Sequence, residues 1–385
     1  MSEVHSSKTT KPAKPFAEFP LFPHASGRWC KKIRGKQVYF GPWSDPDSAL
    51  AKYLAEKDAL HAGRKPAEVS AGVTIKFMCN QFLHAKKQLE LSGELSARTW
   101  KDYEAACKLL AKHFGSSRLV EDVGPNDFAA LRTKLAKKWG PVTLGNTIQR
   151  IRVIFKFAFD NGLTTKATNY GQGFKRPSKK TLRLEKAKHG PKLFARQEVR
   201  QILGCAPWQP AADGQLRAMI LLAINCGFGN SDCGKLPLST LDFEKPAVTY
   251  PRPKTGIPRR CPLWPETVEA LRAVLVKRNA PKNATDAALV FLTKRGGSWS
   301  KDIADSPIAK EFRKLLDRLG IEGRRNFYTL RHTFRTVADA AKDQPAIDLI
   351  MGHESPHMAS VYREHIADDR LEAVTELVRR WLFGA

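Results

Sequence analysis

The sequence contains no apolar run able to cross a bilayer. Its longest, Ala218 to Ile224, has seven residues, where a spanning helix needs roughly twenty. Met1 to Pro15 is polar and basic and lacks the apolar stretch of a secretory leader, so no export signal is expected. The seven cysteines, at 30, 79, 107, 205, 226, 233 and 261, form no Cys-x-x-Cys pair, and no histidine pair stands near them at zinc-binding spacing. This argues against a zinc module or a disulfide framework; reduced, buried thiols in a cytoplasmic protein are expected, with no metal and no other cofactor. Internal repeats are also missing. Acidic residues are scarce: 38 Asp and Glu face 65 Lys and Arg, for a net charge of +27 and an isoelectric point near 9.9. Such a surplus serves either solubility or a polyanionic partner. Nucleic acid fits best, because each neutralised phosphate releases condensed counterions.

What is present describes a globular chain, 42% apolar and 27% charged, whose 385 residues exceed a single ordinary core. The charge is uneven. Residues 73–189 carry 23 basic and 9 acidic side chains, a net +14, against +5 before them and +8 after. The middle of the chain is therefore the first place to look for contacts to a phosphate backbone.

Residues 1–25 read as a flexible basic arm. Arg28–Ile33 and Gln37–Phe40 flank the turn Arg34-Gly35-Lys36 as a basic β-hairpin, and Ser44-Asp45-Pro46 starts a helix. This predicts a small hairpin-and-helix module over 26–66, either an accessory DNA-contacting arm or a solvated basic surface. Residues 73–168 predict a cluster of four helices. They run over about 75–91, from Ser96 onward, after Pro125 and after Pro141, each with an apolar stripe at helical spacing. Trp100 and Tyr103 fall among the core positions. Arg98, Lys101, Arg150 and Arg152 fall on the other faces, where they are candidate DNA contacts. Residues 169–192, rich in Gly, Lys and Pro, predict a linker. From 193 to 385 the pattern is mixed but mainly helical. Short strands lie near Val248–Tyr250 and Arg259–Leu263, and helices are expected over 265–278, 306–319, 329–341, 345–351, 356–364 and 368–382. The fold class expected is α+β with several domains.

The chemistry-bearing residues gather near the C-terminus. In Tyr328-Thr329-Leu330-Arg331-His332-Thr333-Phe334-Arg335, the residues Tyr328, Arg331, His332 and Arg335 follow helical spacing and share one face. Arginine forks match phosphate oxygens, so this face is either an anion grip or simply a solvated surface. Met351-Gly352-His353 ends a helix at a glycine. Ser355-Pro356 starts another that carries Tyr362. Taken alone, a tyrosine on a short helix is more often a packing residue than a nucleophile.

Together these segments resemble the tyrosine recombinases, the phage-integrase family. Leu330-Arg331-His332-Thr333-Phe334 is similar to that family's second-arginine box, Ile350-Met351-Gly352-His353 to its Gly-His box, and Tyr362 stands at the nucleophile position. Pro253-Lys254-Thr255-Gly256-Ile257-Pro258-Arg259-Arg260-Cys261-Pro262-Leu263 is similar to its lysine-bearing β-hairpin. The resemblance covers about residues 25–385. It implies an arm module, a helical core-binding domain of SAM-like type, a linker and a catalytic domain, working as a tetramer on paired sites in double-stranded DNA, in the cytoplasm with the nucleoid. It further implies strand exchange through a 3′-phosphotyrosine. Tyr362 would be the nucleophile, Arg331 and His353 would hold phosphate oxygens, Lys254 would be the general acid, Tyr328 would donate a hydrogen bond, and Arg335, His332, Arg259 and Arg260 would contact DNA.

The family pattern breaks at its first arginine. In Cys226-Gly227-Phe228-Gly229-Asn230-Ser231-Asp232, Gly229 stands where that arginine belongs, while Asp232 keeps the acidic position. Tyr328 also replaces the usual His. Losing one phosphate-clamping arginine slows phosphoryl transfer on the order of a thousandfold unless another cation substitutes. Lys235, Arg259 and Arg260 are the sequence candidates. Three readings compete: an active recombinase with a rearranged clamp, a recombinase relative that binds DNA with little or no cleavage, and a type IB topoisomerase-like nicking-resealing enzyme. The last helix has an apolar face of Leu371, Val374, Leu377, Val378, Trp381 and Leu382, open to packing either on its own domain or on a neighbouring protomer.

Overall fold

The computed structural model describes residues 11–63, 72–204, 214–301, 306–354 and 364–384. Three hydrophobic cores divide the chain.

The first lies under a three-stranded antiparallel sheet, β1 (Phe22–His24), β2 (Arg28–Ile33) and β3 (Lys36–Pro42), backed by α1 (Pro46–His61). Asp45 caps α1 through the Ser48 amide at 3.0 Å. Of the flexible arm expected over 1–25, residues 1–10 lie outside the described residues, and the rest differs from that expectation. Phe19 and Leu21 are buried in this core beside Trp29, and Phe22–His24 pairs with Arg28–Cys30 as an extra strand. The sequence hid it because a three-residue strand has no measurable alternation.

The second core is all helical: α2 (Ile75–Leu91), α3 (Ala97–Phe114), α4 (Pro125–Lys138) and α5 (Pro141–Asp160). Thr74 and Ser96 cap α2 and α3 by accepting the amides of Phe77 and Thr99 at 3.2 and 3.1 Å. Prolines occupy the first positions of α4 and α5, where a missing N–H costs nothing. Phe114, Phe128 and Phe155 interlock edge-to-face in the interior. Trp100 donates its indole N–H to the Leu83 carbonyl at 3.2 Å, and Tyr103 packs edge-on against Phe82. Both rings thus serve packing.

The segment read as a linker holds a helix, α6 (Lys179–Ala187), capped by Ser178 and with no buried residue. The expectation of a linker rested on composition alone, rich in Gly, Lys and Pro.

The third core is the largest. Around α8 (Gln215–Asn225), buried along its length except at Arg217, pack α7 (Arg196–Gly204) and the short α9 (Asn230–Gly234). A small antiparallel sheet follows, of β4 (Leu241–Asp242), β5 (Ala247–Thr249) and β6 (Arg260–Pro262). The helices α10 (Pro265–Val276), α11 (Pro307–Arg318), α12 (Tyr328–Ala338), α13 (Gln344–Met351) and α14 (Asp368–Phe383) complete it. In this chain α14 packs on α7, α8, α12 and α13 of its own core. Leu371, Val374, Val378 and Leu382 are buried there, and Trp264 donates to the Thr375 carbonyl at 3.0 Å.

The six described cysteines are free and buried; Cys205 lies outside the described residues. Among the described residues no helix is long and apolar enough to cross a membrane.

Candidate active site

Three chain segments far apart in sequence meet where α12, the end of α13 and the β5–β6 hairpin come together. Their meeting point is Arg331. It sits on α12 among Leu330, Thr333 and Phe334 and is 2% exposed. Its Nη1 donates to the Gly227 carbonyl; its Nη2 donates to the Met351 carbonyl and meets His353 Nε2, each at 2.8 Å. A buried guanidinium needs such partners, because unpaired charge in the interior is strongly unfavourable. Burial, and then the neighbouring Arg252 cation, push the Arg331 pKa down to about 10, so it stays charged at neutral pH. The single polar face expected for Tyr328, Arg331, His332 and Arg335 is therefore split. Arg331 turns inward, Tyr328 and His332 face solvent with their rings edge-on at 5.3 Å, and Arg335 is tied to Asp339 and Gln344.

His353 follows directly on Gly352, whose φ of 62° closes α13 in the left-handed region. With Arg331 donating to Nε2, the proton belongs on Nδ1, which faces Asp348 Oδ1 at 3.7 Å. Burial, Arg331 and Arg252 together hold the imidazole below its usual pKa, so it is neutral at pH 7.

The hairpin brings the remaining cations. Its tip is closed by the Tyr250, Arg252 and Gly256 amides, which donate to Arg259, Ile257 and Arg252 carbonyls at 3.1, 2.8 and 2.8 Å. Lys254 stands on this tip, exposed, with no hydrogen bond or ion pair to a described residue. Arg259, expected as a DNA contact, is 2% exposed, with its guanidinium engaged inside the protein. Its Nε donates to the Tyr250 carbonyl at 2.9 Å, and its guanidinium lies over the Phe228 and Tyr250 rings. Nη2 is 3.1 Å from Asp232 Oδ1, close enough for an ion pair but not aligned as a hydrogen bond. Arg259 is thus a strut joining the hairpin to α9. Arg260 is also engaged, as a fork on Asp368 with both bonds at 2.6 Å.

At Gly229 the Asp232 carboxylate accepts the backbone N–H at 2.6 Å. A Cβ added to Gly229 would lie 3.2 Å from the Tyr328 ring and 3.3 Å from Asp232 Oδ2, so Tyr328 covers the position where a side chain would emerge. The site residue that sequence reading missed is Arg252. It is half-buried, its Nη1 approaches the Gly352 carbonyl at 3.4 Å, and its charge acts on both Arg331 and His353. No motif marks it; only hairpin register brings it to a turn a hundred residues later.

Tyr362, and with it the helix expected over 356–364, lies outside the described residues apart from Glu364. Glu364 and His365 line an open cleft together with His353, Thr255 and Ile257. Of the other expected contacts, Arg98 and Arg150 share one carboxylate, Asp102, at 3.7 and 2.5 Å. Lys101 is exposed beside them, and Arg152 stacks on Tyr170 and donates to the Phe174 carbonyl. Among the described residues no group of three or more His, Cys, Asp or Glu could hold a metal ion.

Residues 192–368 match the phage integrase family. Tyrosine recombinase XerD of Corynebacterium glutamicum is 26% identical over 49% of this chain and 61% of its own length. Tyrosine recombinase XerC of Pelotomaculum thermopropionicum is 26% identical over 48% and 60%. The chain thus spans about 60% of the length of these two relatives. A λ integrase dimer bound to a COC' core site superposes with a TM-score of 0.54, at 17% identity, over 92% of this chain and 96% of that one. The Tn1549 transposon integrase in complex with a circular intermediate DNA superposes with a TM-score of 0.56, at 20% identity, over 78% and 98%. The mixed α+β fold is therefore that of these integrases, and residues 192–368 carry a phage integrase family domain.

Proposed function

We propose that this protein cuts and rejoins duplex DNA at specific sites through Tyr362. The observation that carries the reading is the buried Arg331, held by three bonds and joined to His353. A fixed cation beside a neutral imidazole suits a group that must stabilise charge on phosphate oxygens without reorganising.

In this mechanism the Tyr362 hydroxyl attacks the scissile phosphorus. A phosphotyrosine bond forms as the bond to the 5′ oxygen breaks. Lys254, on the exposed hairpin tip, gives its proton to that departing oxygen. Arg331 bears on the non-bridging oxygens, His353 joins it once a proton sits on Nε2, and Tyr328 contributes a hydroxyl from the Gly229 side. The 5′-hydroxyl of the partner duplex then attacks the phosphotyrosine and releases Tyr362. The covalent link conserves the phosphodiester, so the balance needs no nucleotide cofactor and no metal.

Double-stranded DNA is the partner, gripped by the basic helices α3 and α5 through Arg98, Lys101, Arg150 and Arg152 and near the site by His332 and Arg335. The share of fold with λ integrase, which forms a tetramer bound to a Holliday junction, supports assembly on paired sites and residence with the nucleoid. The expected domain limits, 26–66, 73–168 and 193–385, stay part of the proposal. Gly229 favours a second reading, a DNA-binding relative without cleavage. The deciding experiment traps covalent adducts on nicked suicide duplexes: adducts that vanish in Tyr362→Phe establish cleavage, and wild-type binding with no adduct rejects it.

A further inference from the structure

The missing arginine at Gly229 leaves the phosphate site short of one cation, and the structure offers four possible replacements. Arg260 is committed to Asp368. Arg259 is enclosed by Phe228, Tyr250 and Asp232. Lys235 is exposed, and among the described residues no hydrogen bond or ion pair joins its side chain to Arg331, His353 or Gly352. Arg252 differs from all three. Its backbone is pinned at the hairpin tip by its own N–H and by two amides, of Thr255 and Gly256, on its carbonyl. Its Cβ is aimed at Gly352, since a Cβ added there would lie 3.0 Å away. A guanidinium has five N–H donors. Arg331 has three bonds engaged and is shut from solvent, whereas Arg252 is half-open. Its one hydrogen bond to a described residue is the 3.4 Å approach to Gly352, near the limit of a real bond.

We infer that Arg252 is a catalytic residue that donates to a non-bridging oxygen of the scissile phosphate, in place of the arginine absent at 229. The inference rests on the strand-transfer reading above. Its physical basis is charge: the five-coordinate phosphorus of the transition state holds more negative charge on its non-bridging oxygens than the diester does, and one fixed cation leaves part of it uncovered. Arg331 and Arg252 approach the Met351-Gly352-His353 turn from different elements, α12 and the hairpin, so together they flank one anion. The Gly352 carbonyl holds the Arg252 fork only weakly until phosphate takes it over.

The test uses the full-length chain and a duplex selected by it from a random-sequence pool, nicked to trap adducts. On natural phosphate, Arg252→Met is expected to slow adduct formation about a hundred- to a thousandfold, and Arg252→Lys less, as it keeps the charge without the fork. On the same duplex with a methylphosphonate at the mapped scissile position, one oxygen charge is gone. There the Arg252→Met deficit should shrink to within about tenfold, which a merely misfolded or mispositioned variant would not show. Equal rates for wild type and variant, or a deficit of the same size on both substrates, overturn the inference. A binding arm separates it from the strand-transfer reading. Single-phosphate ethylation interference on the selected duplex should show one phosphate whose neutralisation weakens wild type about tenfold more than Arg252→Met. Identical interference maps overturn the Arg252 contact whether or not adducts form, while wild-type binding without adducts rejects only the strand-transfer reading.

Discussion

The helices over 75–160 and the core around α12 handle positive charge in opposite ways. On the helical cluster, Arg98, Lys101, Lys134, Lys137 and Lys138 lie outside the phenylalanine core, and ion pairs such as Lys108–Glu104 are exposed. In the C-terminal region Arg331 and Arg259 are drawn inside, with Arg252 half-buried beside them, and Asp232 is the carboxylate paired with this group. Exposed charge is screened and cheap to rearrange; buried charge must be held by fixed partners and keeps its field. The first arrangement suits a grip that slides along a polyanion, the second a site that acts on one phosphate.

Removing the buried cation should give the largest effect. Arg331→Ala strands the Gly227 and Met351 carbonyls and His353, so adduct formation on nicked duplexes should fall by about a thousandfold or more, with roughly 3–5 kcal/mol lost in denaturant melts. Wild-type melting would break the contrast drawn here.

Two glycines sharpen it next. Gly352 has φ 62° and its added Cβ would sit 2.7 Å from Arg259 Cγ and Cδ; Gly93 has φ 81° in open space. Gly352→Ala should cost about 2–4 kcal/mol and Gly93→Ala only about 1 kcal/mol, read by urea melts. Similar losses would mean the turn before His353 is not tightly packed.

A pH series probes the field itself. The folded His353 sits below its unfolded pKa, depressed by burial and by Arg331 and Arg252 against the opposing Asp348. Its contribution to stability is therefore present above an unfolded value of about 6.5 and is lost as pH falls through that value and below. Arg252→Met should raise the His353 pKa, as followed by imidazole NMR signals, and lessen the loss on acidification. An unmoved titration would place Arg252 too far away to act.

The smallest effect belongs to the helical cluster. Arg98→Ala should change stability by no more than about 0.5 kcal/mol yet reduce the slope of log affinity against log salt by about 0.9, measured by DNA titration at several ionic strengths.

Much of this was legible in one dimension. Apolar spacing with Ser96, Pro125 and Pro141 marked the four helices nearly to the residue, and Gly352 marked the end of α13. Both are local: a cap or a helical period acts within a few residues. Short or unburied elements escaped, as with β1 and α6, because three residues carry no period and a helix with no buried face lies in a segment marked by its Gly, Lys and Pro.

The site divides along the same line. Arg331, His353 and Lys254 were candidates from their boxes alone, since each box is a short string of residue types suited to phosphate chemistry. That Arg331 turns inward, that Arg259 is a strut and that Arg252 faces Gly352 were decided only when the hairpin, α9, α12 and α13 packed together. Residue type and local spacing carry the donors and their charge. Which donors lie buried, and which stay open toward a phosphate, depends on contacts between residues a hundred positions apart, and no local pattern encodes those.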